Sequence, residues 1–266
     1  MSQPAGDNVF RHELDGKSTA RLPARGRGSG SAEPSALAFD VYGTLVDPVD
    51  LRLALAPVFG REAVQVANDW RRAQLEYTFR LAAMGGYLDF EAVTQAALAQ
   101  VAAERAVQLG EKELRNLAGA YDSLKPRPGV VSALGALRKA GWNLSVFSNG
   151  TPRMLAELLK QAGLSPFVDQ VVSVDGARSY KPAPAVYSHL LTTLGLGAGN
   201  IFLVSCNAFD VQGALAAGLR AVWITEQSPA GDRLLEAGGY KVISVPDIAH
   251  LDSALRVESP QSSLGE

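Results

Sequence analysis

The sequence predicts an α/β protein: a doubly wound, mostly parallel, Rossmann-like sheet with a helical domain inserted after its first strand. Three observations lead there. Short apolar segments rich in Val, Ile, Leu and Phe recur along the chain, as parallel strands covered on both faces require. Helical stretches that run out at glycine lie between several of them. One long strand-poor stretch, from Pro48 to Lys125, interrupts the alternation directly after the first strand.

In chain order, strands are expected at Leu37–Asp40, Leu144–Ser148, Gln170–Ser173, Ile201–Ser205, Ala221–Ile224 and Lys241–Ser244. Helices are expected at Val130–Ala140 before Gly141, Pro152–Gln161 before Gly163, Ala183–Leu194 before Gly195, and Ala208–Ala217 before Gly218. Within the strand-poor stretch, Trp70, Leu75, Phe79, Ala82 and Ala83 suggest the buried face of an amphipathic helix. An insertion above a strand's C-terminal end is well placed to act as a lid. The domain reading is therefore an extension at 1–35, a core at 36–47 and 126–257, a helical cap at 48–125, and a tail at 258–266.

Bulk properties narrow the function. The chain has 266 residues, 47% of them hydrophobic, enough for one full core. A net charge of -2 gives no electrostatic case for nucleic acid or an anionic membrane as partner. The single cysteine, Cys206, excludes an intrachain disulfide and a cysteine-built zinc site, which fits a reducing cytoplasm. No apolar run approaches the roughly 20 residues that span a bilayer. The first 35 residues mix Gly, Pro, Ser and Arg with acids and lack a secretory apolar segment, which reads as a flexible extension. The tail from Glu258 reads likewise.

Polar clusters follow the apolar strands. Asp40, Tyr42 and Thr44 follow the first; Ser148, Asn149 and Gly150 follow the second. Tyr180-Lys181-Pro182 opens the helix containing Tyr187, and Ser205-Cys206-Asn207-Ala208-Phe209-Asp210 follows the fourth strand. In a doubly wound sheet such clusters converge on one crevice. In that order, Asp-x-x-Gly-Thr-Leu, Ser-Asn-Gly, Lys-Pro and Ser-x-Asn-x-x-Asp resemble the haloacid dehalogenase superfamily. Phe39 to Leu45, together with Trp70-Arg71 and Gln74-Leu75-Glu76-Tyr77-Thr78, is similar to its L-2-haloacid dehalogenase branch. The resemblance covers Ala36 to Leu255.

The resemblance implies a hydrolase acting on carbon–halide bonds, with Asp40 as nucleophile on the α-carbon of a 2-haloacid and an ester intermediate. Position 42 separates the branches. Phosphatases of the superfamily carry a second aspartate there to protonate a leaving alcohol, whereas halide leaves without a proton. A phenol is a poor substitute for a carboxylic acid in that role, so Tyr42 reads as an apolar wall. Ser205 stands where phosphatases tend to have a metal-binding aspartate, which argues against Mg²⁺ and for no cofactor. Asp40 and Asp210 remain, so a Mg²⁺-dependent phosphatase of the same fold is the alternative.

By resemblance, Arg71 meets the leaving halide, and Ser148 and Asn149 bind carboxylate and halide. Lys181 holds the carboxylates of Asp40 and substrate together, and Thr44 fixes the Asp40 rotamer. Ser205, Asn207 and Asp210 form the hydrolytic side, with Asp210 orienting Lys181 and a water. Asn207 also stands where the N-cap of the following helix belongs. Tyr187 completes the implied catalytic set, and Val41, Leu75, Phe90 and Phe209 join Tyr42 and Asn149 as substrate-binding residues. Two positions depart from the family: Cys206 for serine, read as a small buried filler, and Phe209 for tryptophan, which alters pocket volume. Arg72 reads as surface, and His12, His189 and His250 fit no catalytic pattern. A halogenated carboxylic acid, a halide product and a homodimer are the implied partners.

Overall fold

The computed structural model describes residues 36–226, 228 and 230–258. The predicted extension at 1–35, with His12, and all of the predicted tail beyond Glu258 lie outside the described residues. Six strands form one sheet: β1 (Ala36–Phe39), β2 (Asn143–Ser148), β3 (Gln170–Ser173), β4 (Ile201–Ser205), β5 (Arg220–Ile224) and β6 (Ile243–Val245). Their order is β3-β2-β1-β4-β5-β6, and every pairing is parallel. The chain runs outward from β1 through β2 to β3 and then crosses back to β4 on the other side of β1, so the topological switch point lies at β1.

Register then aligns the strand ends. Phe39 pairs with Val146 on one side and Val204 on the other. Asp40 lies one residue past the strand and continues the pairing, its N–H donating to the Val204 carbonyl at 3.0 Å. Strand burial is nearly complete: Leu37, Phe39, Val146, Phe147, Leu203 and Val204 belong to the main core. That two-sided burial explains the unbroken apolar runs. The last strand lies at Ile243–Val245 rather than at Lys241–Ser244, because it is the inward-facing Ile243 and Val245 that pack on the core.

Between β1 and β2 the described chain is helical: α1 (Arg52–Phe59), α2 (Ala63–Met84), α3 (Phe90–Ala103) and α4 (Glu111–Ala118), with 3-10 turns at Pro48–Leu51, Gly60–Glu62 and Gly119–Ser123. At 22 residues, α2 is about 33 Å long, and it stops at Gly85 in the left-handed conformation. Asp89 caps α3 by accepting from the Ala92 N–H at 2.8 Å. The rest of the core layer is α5 (Val130–Lys139), α6 (Pro152–Gln161), α7 (Pro184–Leu194), α8 (Ala208–Ala216), α9 (Arg233–Ala237) and α10 (Leu251–Glu258).

The face of α2 that is buried differs from the sequence expectation. Ala63, Val66, Ala67, Trp70, Gln74 and Thr78 form the inward stripe. Leu75 and Ala82 are half-buried, and Phe79 and Ala83 are exposed. Polar Gln74 and Thr78 replace apolar residues on the inward stripe because their groups are paired: Gln74 Nε2 donates to Thr94 Oγ1 at 2.7 Å and Thr78 Oγ1 to the Leu75 carbonyl at 2.7 Å. Hydrophobicity alone cannot identify such a stripe. Among the described residues no helix is long and apolar enough to cross a membrane.

Candidate active site

The loop after β1 turns on Gly43, whose φ of 93° lies in the left-handed region. The N–H groups of Thr44, Leu45 and Val46 all point at the Val41 carbonyl, at 3.1, 2.8 and 3.1 Å. This tight turn aims the Asp40 side chain into the crevice and brings Thr44 back beneath it. Thr44 Oγ1 donates to Asp40 Oδ2 at 2.9 Å and accepts from the Cys206 N–H at 2.9 Å, tying the β1 loop to the β4 loop.

Asp40 Oδ2 also accepts from Asn207 Nδ2 at 2.7 Å and from Ser205 Oγ at 3.4 Å. Asp40 Oδ1 faces Lys181 Nζ at 3.2 Å. The two oxygens are thus inequivalent: one is held by neutral donors, the other by the ammonium. Asn207 occupies the N-cap position of α8 without capping it, since its side chain reaches Asp40 and the Tyr42 carbonyl (3.1 Å) instead.

Lys181 is buried, behind the cis Lys181–Pro182 peptide. Its ammonium has three hydrogens and three acceptors: Asp210 Oδ2 at 2.7 Å, the Phe147 carbonyl at 2.8 Å and Asp40 Oδ1 at 3.2 Å. Asn149 Oδ1 accepts from the Lys181 N–H at 3.2 Å, fixing the backbone from the β2 loop. Asp210 is fully buried and accepts from the Tyr187 hydroxyl at 2.9 Å. Burial pushes its pKa up to about 6, with the Asp40 charge adding and Lys181 opposing. Burial likewise raises the Tyr187 phenol well above its usual range, so it acts as a donor.

Tyr187 reaches Asp210 because residue 213 is glycine. A Cβ there would stand 2.3 Å from the Tyr187 hydroxyl.

Tyr42 supplies its backbone and its ring. The carbonyl accepts from Arg71 Nη2 at 3.1 Å, which brings an α2 side chain to the residue two beyond Asp40. The ring stacks on Phe90 at 5.6 Å and meets the edge of Tyr121 at 5.4 Å. Its hydroxyl is buried without a hydrogen-bond partner, and burial lifts the phenol far above its usual range. A proton donor for a leaving group has no place in that setting. Arg71 Nη1 donates to Gln74 Oε1 at 2.8 Å, and Gln74 is held by Thr94. The guanidinium is aimed by a hydrogen-bonded relay across two helices.

The structure therefore joins Asp40, Thr44, Lys181, Ser205, Asn207, Asp210 and Tyr187 in one hydrogen-bonded set, with Arg71 attached through Tyr42. Ser148 lies in the adjoining turn, its Oγ accepting from the Gly150 N–H at 3.2 Å. Val41 is packed in the core, whereas Leu75 is half-buried on α2 and half-buried Phe209 packs edge-on against Phe79 at 5.2 Å. Cys206 is buried, and burial pushes its thiol up to about 12, consistent with a small filler. Sequence reasoning assigned no role to Gln74, Thr94, Tyr121 or the Phe147 carbonyl. Only Gln74, three residues after Arg71 on one helix face, leaves a local signal.

The donors available to a metal are poor. Between Asp40 and Asp210 stands an ammonium, and Ser205 is neutral. Among the described residues no group of three or more His, Cys, Asp or Glu could hold a metal ion.

Comparison with known proteins agrees with this architecture. The profile of the haloacid dehalogenase-like hydrolases matches residues 34–218. Haloacetate dehalogenase H-2 of Moraxella sp. (strain B) is 34% identical over 216 residues, covering 81% of this chain and 96% of that protein. The (S)-2-haloacid dehalogenase 1 of Pseudomonas sp. (strain CBS-3) is 38% identical over 190 residues, 71% of this chain and 83% of that one. Among solved structures, the L-2-haloacid dehalogenase of Xanthobacter autotrophicus with chloropropionic acid covalently bound superposes with a TM-score of 0.75 at 29% identity, covering 84% of this chain and 99% of that chain.

Proposed function

Because this chain belongs to the haloacid dehalogenase-like hydrolase family, we propose that it hydrolyses short L-2-haloacids and haloacetates to 2-hydroxy acids, without a metal. The observation that carries the reading is the pairing of Asp40 with Lys181 beside a tyrosine, where a second carboxylate would serve phosphoryl transfer.

Asp40 Oδ1 is the attacking oxygen, since Oδ2 is committed to Thr44, Asn207 and Ser205. It displaces halide from the α-carbon opposite the leaving group, inverting that carbon and leaving an ester. Arg71 stabilises the departing halide; its planar guanidinium is permanently charged and already aimed by Gln74. Lys181 offsets the repulsion between Asp40 and the substrate carboxylate, which Ser148 and Asn149 also receive. Asp210 orients a water that attacks the carboxyl carbon of Asp40, so the α-carbon keeps its inverted configuration. Halide needs no proton, which suits a Tyr42 whose buried phenol holds its own tightly.

The segment 48–125 acts as a cap over the core of 36–47 and 126–257, with Arg71, Leu75 and Phe90 as its contribution. We also propose a cytoplasmic homodimer, for which sedimentation of the purified chain tests the assembly.

Chloride release from L- and D-2-chloropropionate in EDTA tests the central reading. Release from the L-enantiomer alone, yielding D-lactate, is expected. No release from either enantiomer, or release that needs added Mg²⁺, would overturn it.

A further inference from the structure

Two polar side chains lie fully buried between α2 and α3: Gln74 and Thr94. Burying such groups costs free energy unless they are paired, and here the pairing has a direction. Thr94 has a single hydroxyl hydrogen, which goes to the Phe90 carbonyl at 2.6 Å. Toward Gln74 the hydroxyl oxygen can therefore only accept, and it does so from Nε2 at 2.7 Å. That turns the other end of the amide, Oε1, toward Arg71, whose Nη1 donates to it at 2.8 Å. The Tyr121 hydroxyl donates to the same oxygen at 3.4 Å, and burial lifts that phenol up to about 12, so its proton stays in place. With the amide reversed, its NH2 group would face two donors, and its oxygen would face a hydroxyl whose hydrogen is already committed.

The frame around the pair is fixed. Trp70 Nε1 donates to the Thr94 carbonyl at 2.8 Å, joining α2 to α3 one turn from Gln74. Phe90, whose carbonyl orients Thr94, also stacks on the Tyr42 ring at 5.6 Å. The Tyr42 carbonyl in turn accepts from Arg71 Nη2 at 3.1 Å. Phe90, Thr94, Gln74, Arg71 and Tyr42 thus form a closed ring of contacts that links α3, α2 and the loop carrying Asp40.

We infer that Thr94 is a positioning residue of the reaction: its hydroxyl sets the polarity of the Gln74 amide and, through it, the aim of Arg71 at the departing halide. The inference rests on the dehalogenation reading, with Arg71 meeting the halide, and adds a residue that bonds to neither Arg71 nor Asp40. The terminal torsion of a glutamine is broad and roughly two-fold. Without an acceptor at position 94, Gln74 no longer holds one orientation and Arg71 loses its fixed acceptor. Poor aim costs most where the leaving group most needs help, with chloride rather than bromide.

The test measures kcat/KM, which covers the steps up to halide release but not the later hydrolysis of the ester. L-2-chloropropionate and L-2-bromopropionate are compared in the wild type, Thr94→Ser, Thr94→Val and Thr94→Ala. Serine keeps the hydroxyl and valine keeps the volume. Alanine differs from serine by the oxygen alone, so that pair decides if Thr94→Val does not fold. Thr94→Ser should keep wild-type rates. Thr94→Val and Thr94→Ala should lose up to ~100-fold on chloropropionate and less on bromopropionate, raising the bromide-to-chloride ratio. In Gln74→Met, which has no amide to orient, adding Thr94→Val should leave that ratio where Gln74→Met alone puts it. Equal losses on both acids, or none, would show a packing role and overturn the inference, as would a further rise in the double variant. A ratio moved by Arg71→Lys but not by Thr94→Val or Thr94→Ala overturns this inference alone. If Arg71→Lys leaves the ratio unmoved, or the wild type releases neither halide, the underlying reading fails first and takes this inference with it.

Discussion

The ammonium of Lys181 lies closer to Asp210, at 2.7 Å, than to Asp40, at 3.2 Å. The lysine is anchored on the carboxylate proposed to direct water and leans toward the proposed nucleophile. Asp210→Asn removes the anchor's charge. Lys181 then keeps Asp40 as its carboxylate partner. Hydrolysis of the ester should slow more than its formation. Intact-mass measurement after brief exposure to L-2-bromopropionate should then show an adduct that the wild type clears, and its absence would count against Asp210 as the water-orienting group.

The pH dependence follows from the same residue. Burial raises Asp210 in the folded protein to about 6, above its ordinary value. Between the ordinary carboxylate range and about pH 6 the folded state therefore binds more protons than the unfolded chain. The contribution of Asp210 to stability is most favourable below that window and is lost as pH rises through about 6. Turnover should run the other way, because the ionised form is the one proposed to direct water. An acidic limb in kcat, the parameter that contains ester hydrolysis, absent in whatever activity Asp210→Asn retains, is the expected profile.

Gly213→Ala tests the space beside Tyr187. With 2.3 Å between the added carbon and the Tyr187 hydroxyl, either the tyrosine or α8 must shift. Overpacking of this kind costs about 1–3 kcal/mol, and the hydrogen bond to Asp210 should be lost as well. In the background of Tyr187→Ala the thermal penalty of Gly213→Ala should shrink, because the hydroxyl and ring atoms that the new carbon meets, at 2.3 and 2.6 Å, are gone. Equal penalties in both backgrounds would show that the clash is relieved elsewhere.

Tyr42→Phe should stabilise. The hydroxyl is buried and unpaired, and an unsatisfied polar group costs about 1–3 kcal/mol. Its removal leaves the stacking on Phe90 intact. Higher Tm with near-normal chloride release is the expected outcome; a large drop in release would assign the hydroxyl a chemical task.

Arg71→Lys keeps the charge and loses the fork that spans Gln74 and the Tyr42 carbonyl. Loss of one such electrostatic group typically lowers kcat by ~10²–10³. The loss should be greater for chloride than for bromide, the better leaving group. Steady-state rates on matched chloro and bromo acids measure it, and equal losses would mean that Arg71 does not meet the halide.

Much of the site was legible in the sequence because it is built from strand ends. Three polar clusters directly follow an apolar run, so Asp40, Ser148, Ser205, Asn207 and Asp210 declare themselves by position, while Lys181 stands eight residues past β3 and shows itself by the Lys-Pro step before a helix. What was hidden lies in side chains whose partners are remote. The inward stripe of α2 runs through Gln74 and Thr78, and only Thr94, twenty residues on, makes Gln74 admissible there. The Phe147 carbonyl that holds Lys181 is a backbone group with no residue signature. Asn207 looked like a helix cap, and its backbone is one, but its side chain has gone to Asp40. The helices α9 and α10 were not anticipated. They are short, and α10 buries Leu251 and Leu255 in the core with Ala254 packed beside them.

The position of β1 in the middle of the sheet has a consequence for how the protein is made. Its residues leave the ribosome first among the strands, yet their neighbours on either side are β2 and β4. At about 5–20 residues per second, the 161 residues from Val41 through Ile201 take roughly 8–32 seconds to synthesise. Through that interval an apolar strand waits with at least one open edge, the state most prone to pair with the wrong chain. The nascent Asp40 likewise has neither Lys181 nor Asn207 beside it. A half-made chain thus carries Asp40 without the groups that hold it, and the open edge of β1 invites mispairing until β4 is made.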